Sequence, residues 1–174
     1  LLPRLLSNRP DRPVMISGAA LLIATLLALY FMSLIYETQW LPLLVGWFVI
    51  GIGYSVVLTP SGRLLKRSAH TEDRPAVYAA QFALSHACWL VTYPLAGWLM
   101  TFAGSVTTFG VLAVVAAAGM FGGVVLWPRG GEIEHEHTHA NLPVDHPHLR
   151  DGQPHRHVIV IDDFHEHWPR VDQG

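Results

Sequence analysis

Histidine is distributed very unevenly along this chain. Nine of the eleven histidines, His135, His137, His139, His146, His148, His155, His157, His165 and His167, fall between Glu132 and Pro169. Most form His-x-His pairs with Asp and Glu between them. In an extended strand, residues i and i+2 lie on the same side. His135, His137 and His139 can therefore converge on one ion, and the other pairs can do so with a loop closing between them. Imidazole suits Zn, Ni, Co and Cu(II), while carboxylates add hard oxygen ligands. The tail holds no cysteine, which argues against Cu(I) and against a Cys-type structural zinc site. The expectation is a transition-metal ion (Ni, Co or Zn) held at the tail and no tightly bound cofactor. A solvated tail without a metal role, or one that buffers pH, is the plainer alternative. Four His-x-His clusters weigh toward metal.

A second group lies in the uncharged run Pro75–Pro128. Gln81, Ser85, Cys88 and Thr92 recur at i, i+4, i+7 and i+11, which is one face of a helix. His86 sits about 100° round from Ser85 on a helical wheel and shares a face with Tyr78, Phe82 and Tyr93. An ionisable residue at bilayer depth points to function, because its charged form is costly there. It can bind a metal ion as neutral imidazole, take up a proton, or alternate between the two. A neutral histidine packed between helices is the equally weighted alternative. Tyr93-Pro94 should kink the helix, since proline removes one backbone bond.

The elements that must position these groups are apolar. The 174 residues are 51% hydrophobic and 14% charged, a composition that suits a membrane protein better than a soluble domain. Residues 1–128 carry seven Lys/Arg and four Asp/Glu, against four and nine in residues 129–174. Pro13–Tyr36 and Thr38–Gly62 lack charge, and so does Pro75–Pro128, which is long enough for two helices with a turn at Ala103-Gly104-Ser105. The expected fold is all-α: four transmembrane helices at about 13–36, 40–60, 75–102 and 105–127. A loop covers residues 1–12, a polar loop covers Ser61–Pro75, and a mostly disordered His-rich tail covers 129–174. Within the tail, Val158-Ile159-Val160-Ile161 is a β-prone run able to dock on the body or on itself. Gly46, Gly51, Gly53 and Ser55 mark the second span. Gly51-x-x-x-Ser55 is a pattern that lets helix backbones approach closely. Arg4, Arg9 and Arg12 precede the first span, four Lys/Arg follow the second, and Arg129 follows the fourth. This alternation places both ends of the chain in the cytoplasm. Leu1–Arg12 lead into a full-length apolar run rather than a short cleavable one, so a secretory signal is not expected there. The single cysteine, Cys88, rules out an internal disulfide framework.

Residues Leu6-Ser7-Asn8-Arg9-Pro10-Asp11-Arg12 resemble the cytoplasmic loop signature of the major facilitator superfamily. That signature runs Gly-x-Leu-(Gly/Ala/Ser)-(Asp/Asn)-(Arg/Lys)-x-Gly-Arg-(Arg/Lys). Leu6, Ser7, Asn8, Arg9 and Arg12 match, while Arg4 and Asp11 stand in place of the two glycines. Arg67-Ser68-Ala69-His70 through Tyr93-Pro94-Leu95-Ala96-Gly97 resembles the tenth-to-eleventh helix region of efflux permeases of that superfamily. The resemblance covers about residues 1–128. It implies helices nine to twelve of a twelve-helix transporter, the C-terminal part of a longer chain, as does a start at Leu1 without an initiator Met. With its His-rich C-terminus, the chain is similar to nickel-resistance permeases of the superfamily. That similarity implies proton-driven efflux of nickel or cobalt.

Three functions follow as expectations. The first is proton-coupled export of a divalent metal ion through a pathway lined by His86, Gln81, Ser85, Cys88, Thr92 and Tyr93, with the tail capturing the ion. The second is export of small organic molecules, with the tail regulatory. The third is a membrane anchor that displays a metal-storage or sensor tail. The expected setting is a bacterial inner membrane, and the expected partners are the lipid bilayer, the transported ion or molecule and the remaining transporter helices. No nucleophile–base pair or phosphate loop indicates an enzyme. No basic stripe with interleaved aromatics indicates nucleic acid.

Overall fold

The computed structural model describes residues 10–37, 39–127, 135–137, 155–157 and 160–161. Three long helices make up the body: α1 (Asp11–Ile35), α2 (Trp40–Arg67) and α3 (Arg74–Leu126). Two short strands follow, β1 (His135–His137) and β2 (His155–His157). All three helices are long and apolar enough to cross a membrane. At about 1.5 Å per residue, α1 and α2 each match one crossing of roughly 30 Å of hydrocarbon, whereas α3 is more than twice too long.

The length of α3 is resolved at Gly104, whose φ of 78° and ψ of 175° are non-helical. That region of backbone space is essentially reserved for glycine. Contacts at the two ends of α3 show that the chain doubles back there. Near its start, the Tyr78 hydroxyl donates to the Gly62 carbonyl at 2.9 Å. Near its finish, the Val124 carbonyl accepts from Arg12 Nη2 at 3.2 Å. Asp11 pairs with Arg63, so residues 11–12, 62–63, 78 and 124 gather at one end. Gly110 lies against Tyr30, far along α1 from that end. The two arms, 74–103 and 105–126, therefore run in opposite directions. The two arms meet at Gly104, inside the turn expected at Ala103-Gly104-Ser105.

The other boundaries shift for local reasons. α1 starts at Asp11 rather than Pro13, and Pro13 is tolerated because first-turn N–H groups have no intrahelical partner anyway. The expected loop from Ser61 to Pro75 contracts to residues 68–73, since α2 runs through the buried Pro60 to Arg67. The charged residues ended the apolar run but not the helix. Arg63 and Arg67 are one turn apart on the same face, and both meet Asp11.

α1 and α2 pack through glycine. A Cβ on Gly18 would stand 2.8 Å from the Gly53 carbonyl oxygen, and one on Gly53 would stand 3.0 Å from the Gly18 oxygen. A Cβ on Gly46 would meet Leu29 at 2.9 Å. Gly46 and Gly53 are seven residues apart and so share a face. The expected Gly51–Ser55 seam is not this contact. A Cβ on Gly51 would meet nothing within 4 Å, and the Ser55 hydroxyl donates to the Gly51 carbonyl at 2.8 Å.

Much of the remaining apolar surface is open. Trp40 is 81% exposed, Leu90 78% and Leu126 82%. Surface of this extent marks a membrane or protein-covered setting. Outside the body, β1 pairs antiparallel with β2, so part of the tail expected to be disordered carries strand structure. Ile161 is buried, and its N–H donates to the Arg67 carbonyl at 2.9 Å. The β-prone run thus meets the body at its last residue.

Candidate functional site

Along the first arm of α3 the polar residues differ in exposure. Gln81, Ser85 and Thr92 are half-buried, whereas His86, Cys88 and Tyr93 are exposed. Cys88 thus shares the helical face of Gln81, Ser85 and Thr92 but is the most open of the four. The hydroxyls of Ser85 and Thr92 donate to carbonyls of their own helix, Phe82 at 2.8 Å and Cys88 at 2.9 Å. His86 belongs to an aromatic ladder with Phe82, Trp89 and Tyr93, whose successive ring centroids lie 3.9, 4.7 and 6.1 Å apart. Its Nδ1 is 2.8 Å from the Phe82 carbonyl oxygen. A carbonyl only accepts, so Nδ1 carries the proton and, in neutral imidazole, Nε2 keeps the lone pair available to a ligand or a proton. Pro94 does not end the helix, which continues to the Gly104 break. Beside the ladder lies a shallow trough lined by His86, Trp89, Leu90, Tyr93 and Pro94.

The second concentration of chemistry is at the end of the body where α1 starts and α2 finishes. Asp11 is buried, 4% exposed. Its Oδ1 accepts from Arg63 Nη2, and its Oδ2 lies 3.6 Å from Arg67 Nη1. A carboxylate in the first turn of α1 also favours that helix's positive end. Ser55, Leu58, Thr59 and Arg63 line a shallow cleft alongside. This cluster escaped the sequence reading, where Asp11 counted only as a departure from a glycine of the loop signature. The signal was there: Arg63 and Arg67 at i and i+4, and an acid at the start of the preceding helix.

A family model for the Major Facilitator Superfamily matches residues 4–154. The chain belongs to the Major Facilitator Superfamily. Neither curated proteins nor solved structures yield a match. Superfamily membership places the chain among membrane transporters, consistent with its three apolar helices.

Within this superfamily segment, the loop signature lies inside the matched region. Of its residues, Ser7, Asn8 and Arg9 fall outside the described structure. Arg12 is described, and it ties the start of α1 to the Val124 carbonyl near the end of α3. In the tail, His139, His146, His148, His165 and His167 also fall outside the described residues. His135, His137, His155 and His157 are placed by their backbones in the paired strands. Among the described residues, no group of three or more potential ligands is assembled within the helical body.

Proposed function

We propose that this chain supplies the last four membrane-crossing segments, helices nine to twelve, of a proton-coupled exporter of a divalent metal ion, nickel or cobalt favoured. The observation that carries the reading is the tail. A superfamily transporter body is followed by nine histidines in four His-x-His clusters, a ligand set that suits late first-row divalent ions. Superfamily membership favours transport over a plain anchor that stores metal. The setting is a bacterial inner membrane. The charged end, with Arg12, Arg63, Lys66, Arg67 and Arg74, faces the cytoplasm under the positive-inside rule. The tail then meets metal before export. His86 is the pathway group: its Nε2 is the free lone pair at bilayer depth, and Gln81, Ser85, Cys88, Thr92 and Tyr93 lie along the same arm.

The test is metal accumulation and tolerance in cells carrying the full-length transporter, the same protein cut after Trp127, and a His86→Ala variant. The expected result is higher cell nickel or cobalt and lower tolerance in both altered strains, with the larger loss for His86→Ala. Unchanged nickel, cobalt and zinc tolerance in both strains sinks the metal-export reading. Export of an organic substrate by the truncated form in metal-free medium would replace it with organic-molecule efflux.

A further inference from the structure

The nine tail histidines are not equivalent, because the strand register selects four of them. β1 and β2 pair antiparallel with His135 opposite His157, Glu136 opposite Arg156 and His137 opposite His155. In a pleated ribbon, residues i and i+2 occupy the same face, and directly opposed residues share a face across the pair. All four histidine positions therefore fall on one face. Glu136 and Arg156 fall on the other, as an opposite-charge cross-strand pair. Directly opposed Cβ positions lie about 4.5–5.5 Å apart, and positions i and i+2 lie about 6.6 Å apart along a strand. Four histidine positions on a rectangle of that size bring four residues of a metal-ligating type together.

We propose that His135, His137, His155 and His157, brought together by this register, form one four-histidine site for a late first-row divalent cation. The inference rests on the reading of the tail as a metal-binding segment and assigns that binding to one place. Among the six paired residues the one acid, Glu136, falls at a position of the opposite face. Two three-residue strands separated by the 17 residues 138–154 make a weak ribbon on their own. A metal bound across it supplies the missing cross-strand stabilisation, so occupancy and ribbon formation are coupled. The site also has a fixed neighbourhood. β2 ends four residues before Ile161, which is bonded to the end of α2. At about 3.3–3.6 Å per residue, that tether keeps the end of β2 within about 14 Å of Ile161.

The experiment uses the untagged full chain in detergent micelles, titrated with Ni²⁺ and with Zn²⁺ against a chromophoric chelator. Amide exchange at Glu136 and Arg156 is followed in parallel. Three proteins are compared: the unaltered chain, His135→Ala/His157→Ala, and His146→Ala/His148→Ala. The expected result is one tight site, weakened at least 100-fold in the first variant and changed less than threefold in the second. Metal should slow exchange at both amides in the unaltered chain only when that site fills. A tight site that survives His135→Ala/His157→Ala, or that weakens equally in both variants, overturns the ribbon assignment while tail binding stands. The absence of any tight site in the unaltered chain overturns the metal-binding reading itself.

Discussion

Asp11 is the residue on which the charged end depends. It is 4% exposed, while the Arg63 and Arg67 side chains are 37% and 21% exposed, so the acid is desolvated and its partners keep some water. Asn replaces Asp with little change of shape, so Asp11→Asn tests the charge alone. Removing one member of a fully buried pair costs about 3–5 kcal/mol, while exposed pairs contribute about 0–1 kcal/mol. This half-exposed arrangement should fall between, at about 2 kcal/mol, read as earlier unfolding in a detergent denaturation series. Arg63→Met added to Asp11→Asn should then cost little more, because its main partner is already gone. Additive losses in that double-mutant cycle would show that Arg63 is held by something other than Asp11. His86 contrasts with Asp11. It is exposed, held by its own helix through Phe82, and engaged with rings on that helix alone among the contacts described.

At the scale of elements, the seam between α1 and α2 decides how closely two helices approach, and its glycines can be told apart by what surrounds them. Gly53→Ala sets a methyl group against the Gly18 carbonyl at 3.0 Å and the Leu22 side chain at 2.9 Å. Backbone cannot swing aside, so the helices must separate, at about 1–3 kcal/mol for overpacking. Gly51→Ala meets open space and should be neutral or stabilising by about 0.5–1 kcal/mol, since alanine loses less backbone freedom in a helix. The pair, compared by thermal unfolding in mild detergent, reads the seam directly; equal effects would place it elsewhere. Here the sequence was only half legible. The apolar runs located the helices, and Gly104 sat where a turn was expected. The small-x-x-x-small pattern pointed to Gly51 and Ser55, because a single helix does not reveal which of its faces meets a partner. Gly18, on the other helix, selects Gly53. The end of α2 was misplaced for a similar reason: charge normally stops an apolar run, but Asp11 gives Arg63 and Arg67 a reason to stay helical.

At the scale of the whole molecule, Ile161 is the point at which tail and body join. The last carbonyls of any helix lack intrahelical partners, and in α2 the Arg67 carbonyl takes its hydrogen from the Ile161 N–H at 2.9 Å. The Ile161 side chain is buried at the same place, so one residue supplies both a cap and an apolar plug. Arg67 also faces Asp11, which puts the tail's attachment next to the ion cluster that joins α1 to α2. The sequence showed a β-prone run there but not its target, because a free carbonyl at a helix end becomes visible only once the helix end is placed. Ile161→Asp keeps the N–H and removes the plug, whereas Ile161→Pro removes the donor as well. Burying an unpaired carboxylate is unfavourable enough to shift the local equilibrium toward a released tail. Where opening is fast relative to cutting, proteolysis follows the population of the open form. Cleavage beyond Trp127 should therefore speed up about tenfold or more for both variants in detergent micelles, with the unfolding of the helical body unchanged. Equal cleavage rates in all three proteins would mean that the tail is not held at α2.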